Sequence, residues 1–290
     1  RDSLLEGIIL NMPEEIVSPY FLNDGSMGGQ WQIYIQPTDP DDHAGTAIYI
    51  GQNYYSLPFI TDPADTYSES AWDAELSRIN HDPNDTFYRF CPGDKISVNG
   101  KYMFYRGKLN INEQHHVAPD NDFIIRLVEP ATGLPKPEVI SLDDVKDTGD
   151  QFIFDQTRET GCEHYQARLV RINDVQFVNT AAWGPNGSLA ITDGVKTFPV
   201  LLGLGRGFEQ PCNLADTFDI IGIFDQESGY TNYTNGYRIW VPNYDGNGLI
   251  LTDRAYRRGN LRGDSVNDGR IDLLDLAALA GDWLLDVPGL

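Results

Sequence analysis

Short runs in which apolar and polar residues alternate recur along most of this chain, whereas helical periodicity is rare. That contrast confines the fold to β-rich architectures, because alternation at period two suits one buried face of a strand. The apolar run Leu4–Leu10 comes first, followed by Pro13 and the turn-rich Asn23-Asp24-Gly25-Ser26. Trp31–Ile35 alternates in the manner of a half-buried strand, and Thr46–Ile50 resumes the pattern after a loop punctuated by Asp39, Asp41 and Asp42. Glu69–Ile79 then changes period, with Ala71, Trp72, Leu76 and Ile79 falling on one helical face. Strand patterning returns in Lys95–Asn99 and again around Gly107, through Ile111.

Strand, strand, strand, helix, strand, strand is the order of the OB-fold, a five-stranded Greek-key barrel. The segments GTAIYI (Gly45–Ile50) and GDKISVNGKYMFYRG (Gly93–Gly107) resemble those of OB-type modules in secreted bacterial proteins and beside extracellular nucleases. This resemblance covers roughly residues 5–128. Pro130–Pro137 holds three prolines and a glycine and reads as a linker. The pattern then recurs. Tyr165–Val178 reads as a long first strand, and Ser188–Leu202 as a hairpin turning at Asp193-Gly194. Phe218–Phe224 parallels Ile96–Tyr102, and Gly236–Val241 closes the set. No helix is expected between the third and fourth strands of this second set, where Gly203, Gly205 and Gly207 open a loop. The expected fold class is therefore mainly all-β: two OB-like five-stranded barrels in tandem, with one large β-sandwich as the alternative. The expected division is a barrel over 1–130, a linker over 131–137, a second barrel over 138–253 and a C-terminal segment over 254–290.

That last segment carries the most specific local motif, Asp264-Ser265-Val266-Asn267-Asp268-Gly269-Arg270-Ile271-Asp272-Leu273-Leu274-Asp275. On a twelve-residue EF-hand-type loop, Asp264 takes the first ligand position, Asp268 the fifth, Arg270 the seventh through its carbonyl, and Asp275 the twelfth. Gly269 falls where the backbone must turn sharply, and Asp272 adds a further carboxylate. Hard oxygen ligands at this spacing suit calcium. The stretch Asn260–Leu285 resembles one half of a dockerin, the calcium-binding module at the C-terminus of many secreted bacterial proteins, and so implies a cohesin-like receptor. It departs from that family at the third ligand position, where Val266 stands, so that either Asn267 shifts in as the ligand or a water fills the gap. Dockerins also carry two such loops; Asn243–Gly248 is a degenerate candidate for the first. The alternative reading is a solvated acidic turn before a helix. Leu274, Leu276, Leu279, Trp283 and Leu284 are too few to form a core alone and call for a partner surface.

The 290 residues include 43 acidic and 21 basic side chains, a formal charge of −22. Nucleic-acid binding is disfavoured, since it depends on Lys and Arg displacing the counterions of phosphates. Such a chain suits cation binding and stays soluble. The loops Asp39-Pro40-Asp41-Asp42 and Asp82-Pro83-Asn84-Asp85 are candidate second cation sites (Asp39, Asp41, Asp42, Asp82, Asn84, Asp85), although turn chemistry alone favours the same residues. Three cysteines, with no CxxC pair, allow one disulfide, for which Cys162 with Cys212 is the expected pairing, or three thiols. A chain beginning at Arg1 fits a processed, exported protein, and no run of about 18 apolar residues would span a membrane.

No GxSxG, HExxH or Walker motif occurs, and His115-His116 reads as an exposed loop pair. The aromatics Trp31, Tyr34, Tyr49, Tyr54, Tyr55, Tyr102, Phe104 and Tyr105 offer a stacking face, about half of which must be core because strand residues alternate. The expectation is a non-enzymatic, secreted calcium-binding protein for extracellular attachment or assembly. It would polymerise with copies of itself through strand addition by Leu4–Leu10, or dock to a cohesin-like receptor. The alternative is an accessory module for a glycan or single-stranded nucleic acid.

Overall fold

The computed structural model describes residues 2–20, 29–51, 67–113, 123–212, 217–229, 232–244 and 249–251. Its first sheet is built from β1 (Asp2–Ile9), β2 (Gln30–Gln36), β3 (Thr46–Gly51), β6 (Lys95–Tyr105), β7 (Lys108–Asn112) and β8 (Ile124–Glu129). The strand order β1-β2-β3-β7-β6 closes on itself because β1 also pairs with β6, from Asp2↔Lys101 to Ile8↔Lys95. The contact between β3 and β7 is parallel and the others antiparallel. This is the OB connectivity expected from the strand order, with β8 added on β6. Closure removes the free edges that an open sheet would present.

Between β3 and β6 lies α1 (Glu69–Ile79), the span that the apolar period predicts, and a small hairpin of β4 (His81–Asp82) and β5 (Asp85–Arg89). Ser68 caps α1 by accepting from the Ala71 amide at 3.3 Å. Trp72, Leu76 and Ile79 point into the barrel with Trp31, Ile33, Ile48, Ile96 and Val98. Trp72 is fully buried, and its indole N–H donates to the Pro19 carbonyl at 2.6 Å.

The second sheet contains β9 (Glu138–Ile140), β10 (Leu169–Phe177), β11 (Ser188–Thr192), β12 (Thr197–Leu202), β13 (Phe218–Gln226), β14 (Tyr237–Val241) and β15 (Leu249–Leu251). Here β10-β11-β12-β14-β13 closes through pairing of β10 with β13, and β12 runs parallel to β14. Two closed barrels of one topology are therefore present, and the single sandwich is set aside. Strand β8 ends at Glu129 and β9 begins at Glu138, on either side of the proline-rich stretch. The turns α2 (Leu142–Val145) and α3 (Gly161–His164) lie between β9 and β10. They contribute Leu142, Val145 and Cys162 to the second core, around Phe198, Phe218 and Phe224. The Cys162 thiol donates to the Val145 carbonyl at 3.3 Å and carries no disulfide, so the pairing expected with Cys212 is not formed. Burial pushes that thiol up to about 12.

A third core joins the barrels. Leu10, Ile16, Tyr34 and Ala47 from the first pack on Leu169, Ile221, Ile223 and Trp240 from the second. Two strands are consequently buried on both faces. In β13, Phe218, Ile220 and Phe224 fill the second barrel while Ile221 and Ile223 face the first. In β2, Trp31, Ile33 and Ile35 fill the first barrel while Tyr34 faces the second. Trp31–Ile35 is thus not the half-buried strand its alternation suggests. Its outward face is covered by protein rather than water.

Backbones approach closely along this seam. A Cβ at Gly45 would lie 2.7 Å from the Ala167 carbonyl oxygen, and one at Gly203 would lie 2.2 Å from that of Glu15. The Leu204 amide donates to the Glu15 carbonyl at 2.8 Å, and Asn243 donates to the Glu15 carboxylate at 2.7 Å. The glycine loop after β12 is a docking element between barrels.

Candidate ligand groove between the barrels

Strand β6 pairs with β7 from Lys101↔Asn112 to Tyr105↔Lys108 and turns at Arg106-Gly107 into it. Residues on the inward-facing side of β6, which are core at Ile96 and Val98, emerge at Tyr102 and Phe104 with 42% and 53% exposure. Leu109, opposite Phe104, is 50% exposed. Together they form one wall of a groove of about 590 Å³ between the barrels. Ala44–Ala47 and the Glu163, Gln166 and Gln226 side of the second barrel supply the facing wall.

The floor is polar. Asp225 Oδ1 accepts from the Tyr34 hydroxyl at 2.6 Å and from Lys108 Nζ at 2.7 Å, and Oδ2 accepts from Arg238 Nε at 2.8 Å. Arg238 continues to Glu227 at 2.9 Å, and Glu227 accepts from Arg106 of the first barrel at 2.7 Å. Burial would raise the Asp225 carboxyl, but the charges of Lys108 and Arg238 outweigh it and the pKa is lowered. Burial, followed by the Asp225 charge, pushes the Tyr34 phenol well up. Asp225 is thus an ionised carboxylate with both oxygens occupied, suited to pinning the barrels and not to taking a proton from a substrate. Glu163 is the other carboxylate on the groove; burial raises its pKa, and it accepts from Gln166 at 3.0 Å.

The aromatic face expected from sequence does not divide by alternation, since Trp31 and Tyr34 lie on opposite faces of β2 and both are buried. Trp31 and Tyr34 are core, whereas Tyr102, Phe104 and Tyr105 are exposed. Tyr54 and Tyr55 lie outside the described residues. The acidic loops carry turn hydrogen bonds of their own. Asp39 accepts from the Asp41 amide at 3.0 Å and Asp42 from the Ala44 amide at 3.0 Å. The Pro40 and Asp42 carbonyls accept from the buried Arg168 of the second barrel at 2.9 and 2.7 Å. Asp82, Asn84 and Asp85 form the tight β4–β5 turn, with Asp85 accepting from the Phe87 amide at 3.1 Å. Asp264, Asn267, Asp268, Arg270, Asp272 and Asp275, and the surface Leu274, Leu276, Leu279, Trp283 and Leu284, lie outside the described residues, as does His115-His116.

Local motifs missed the Tyr34–Lys108–Asp225–Arg238 cluster, whose members are far apart in sequence. The one signal for it was the run Phe218–Phe224, too continuously apolar for a strand with a wet face.

No family model matches the chain, and no curated protein matches it. A solved structure of a murine DNA-binding protein bound to double-stranded DNA is similar at 11% identity and a TM-score of 0.34, covering 86% of this chain and 100% of that one. A second, concerned with abrogation of activation of pro-inflammatory cytokines, reaches 11% identity and a TM-score of 0.29, covering 86% and 91%. Likeness at these scores carries no argument about function. Among the described residues no helix is long and apolar enough to cross a membrane.

Proposed function

We propose that this protein is a non-enzymatic extracellular binding module whose inter-barrel groove takes a neutral oligosaccharide and whose calcium-loaded, dockerin-like tail attaches it to a cohesin-like receptor. The observation that carries the groove reading is the β6–β7 hairpin, whose Tyr102, Phe104 and Leu109 line the cleft and stay about half exposed. OB-folds bind oligosaccharides and oligonucleotides through the face of their second and third strands and the loops beside it, including the hairpin between the fourth and fifth. In the first barrel the second-strand face is covered by β13, which leaves the hairpin as its open binding element. Flat aromatic rings beside amide and carboxylate groups suit a sugar, whose apolar faces stack while its hydroxyls hydrogen-bond. The charge of −22 weighs against a polyanion.

Calorimetric titration against a panel of neutral oligosaccharides tests the groove. Tyr102→Ala with Phe104→Ala should weaken binding by about tenfold or more, at ~0.5–1.5 kcal/mol per ring contact. Equal binding by parent and variant, or preference for single-stranded nucleic acid, would sink the reading. The tail is tested separately, because Asp264→Ala with Asp268→Ala should abolish tight calcium uptake and leave sugar binding intact.

Strand addition by Leu4–Leu10 does not enter this reading. That segment lies on β6 from Asp2 to Ile8 and on β2 at Ile8 and Ile9, so donating it would open the barrel.

A further inference from the structure

The seam holds a second cluster, away from the Asp225 floor. His43 comes from the loop between β2 and β3, Glu138 opens β9, and His164 ends α3. Each offers one ligand atom, and these atoms lie within 4.8 Å of one another. The two imidazoles stack at 3.7 Å between centroids. His43 Nδ1 is 3.1 Å from the His164 carbonyl oxygen, and His164 Nδ1 is 2.7 Å from that of Arg158. Carbonyls only accept, so both rings carry their hydrogen on Nδ1 and keep a lone pair on Nε2. A backbone carbonyl holding one ring nitrogen is how metal-binding histidines are oriented.

The surroundings brace the cluster. Arg158 donates to the His43 carbonyl at 3.0 Å and to the Glu163 carbonyl at 3.1 Å, tying the two histidine segments together. Arg168 holds the His43 loop through Asp42 and Pro40, and its Nε lies 2.9 Å from Glu138 Oε2. That contact is an ion pair without hydrogen-bond alignment, for both buried atoms lack a hydrogen-bond partner. Glu138 therefore keeps lone pairs for a cation, although the Arg168 charge lowers the affinity such a site can reach.

We infer that His43, Glu138 and His164 bind one divalent transition-metal ion of the zinc class, which bridges the two barrels. Two imidazoles and one carboxylate favour such an ion over calcium, which prefers all-oxygen shells of six to eight ligands. With bonds of about 2.0–2.2 Å at tetrahedral angles, two ligands of one ion lie about 3.3–3.6 Å apart, so the three atoms, now within 4.8 Å of one another, draw together by about an ångström to close on a metal. Three protein ligands leave a position for water. His43 belongs to the first barrel and the other two ligands to the second, so the ion stabilises the docked arrangement.

The test is a Co²⁺ and Zn²⁺ titration of the full chain with calcium in excess, read by the visible spectrum of bound Co²⁺ and by melting temperature. The parent should show imidazole-type Co²⁺ bands at one equivalent and a rise in Tm with Zn²⁺. His43→Asn with His164→Asn should lose one equivalent, the bands and the rise. Asn keeps a donor where Nδ1–H stood and removes Nε2, so the metal-free Tm should be unchanged. His115→Asn with His116→Asn should leave all three signals in place. Equal metal uptake and equal Tm shift in parent and His43/His164 variant would overturn the inference. X-ray absorption on the zinc-loaded parent decides the matter even if that variant fails to fold, because absence of imidazole scattering would equally overturn it.

Discussion

The two barrels share one strand connectivity and differ in how their ends are sealed. In the first, α1 lies between the third and fourth barrel strands and drives Trp72, Leu76 and Ile79 into the open end. In the second, the corresponding connection is the glycine loop from Gly203 onward, which docks on Glu15. That connection places Phe208 in the core, and residues that precede the first barrel strand, Leu142, Val145 and Cys162, are buried there with it. Connectivity therefore does not dictate where the seal comes from. A barrel end must exclude water from apolar side chains, and any nearby segment with the right volume can do so. The connection after β12 thus serves twice, with Phe208 in the core and Gly203 and Leu204 at the seam.

Core truncations put the comparison under the greatest strain. Trp72→Ala and Phe198→Ala each remove a fully buried ring and should cost about 3–5 kcal/mol. Because the third core joins the barrels, either change should lower the midpoint of one shared transition in calorimetry. Two separate transitions, each shifted by only its own variant, would show that the barrels fold independently.

Asp225→Asn attacks the seam itself. It leaves Lys108 and Arg238 without their shared counter-charge and should cost on the order of 3–5 kcal/mol. The acid limb supplies the sign. The folded Asp225 pKa is lowered, so its stabilisation is present above the ordinary carboxyl value of 3.8 and is lost as pH falls below that toward the lowered folded value. Urea midpoints measured down this range should decline more steeply for the parent than for Asp225→Asn. Parallel curves would show that the carboxylate adds nothing to docking.

The glycine loop sharpens the contrast on a smaller scale. Gly203→Ala places a methyl against the Glu15 and Pro242 carbonyls and should cost about 1–3 kcal/mol. Gly229→Ala, with nothing within 4 Å, should stay within about 0.5 kcal/mol of the parent. Equal melting temperatures for the two would mean that the seam yields without loss.

Much of the barrel architecture was readable from the residues. The period change at Glu69–Ile79 gave α1 its bounds, and alternation located most barrel strands. Faces were less readable. Tyr34 alternates with Ile33 and Ile35 as a solvent-facing residue would, yet it is buried. The polar atom on its ring is satisfied by Asp225, 191 positions away. The groove was half visible: Tyr102 and Phe104 were on the aromatic roll, but only the tertiary structure tells them, as exposed residues, from the core positions Ile96 and Val98 on the same strand. His43 and His164 stand 121 positions apart and match no spacing motif.

By itself, then, the sequence determined the β-rich class, the repeated strand order, the place of the helix and the net acidity. These depend on local periodicity and on summed charge, which neighbouring residues settle among themselves. Tertiary structure alone decided which strand faces are dry, which acidic turns are engaged by Arg168, and which distant side chains meet at the seam. Those outcomes depend on one barrel packing against another, where burial of apolar area and the pairing of buried charges act between residues that the chain keeps far apart.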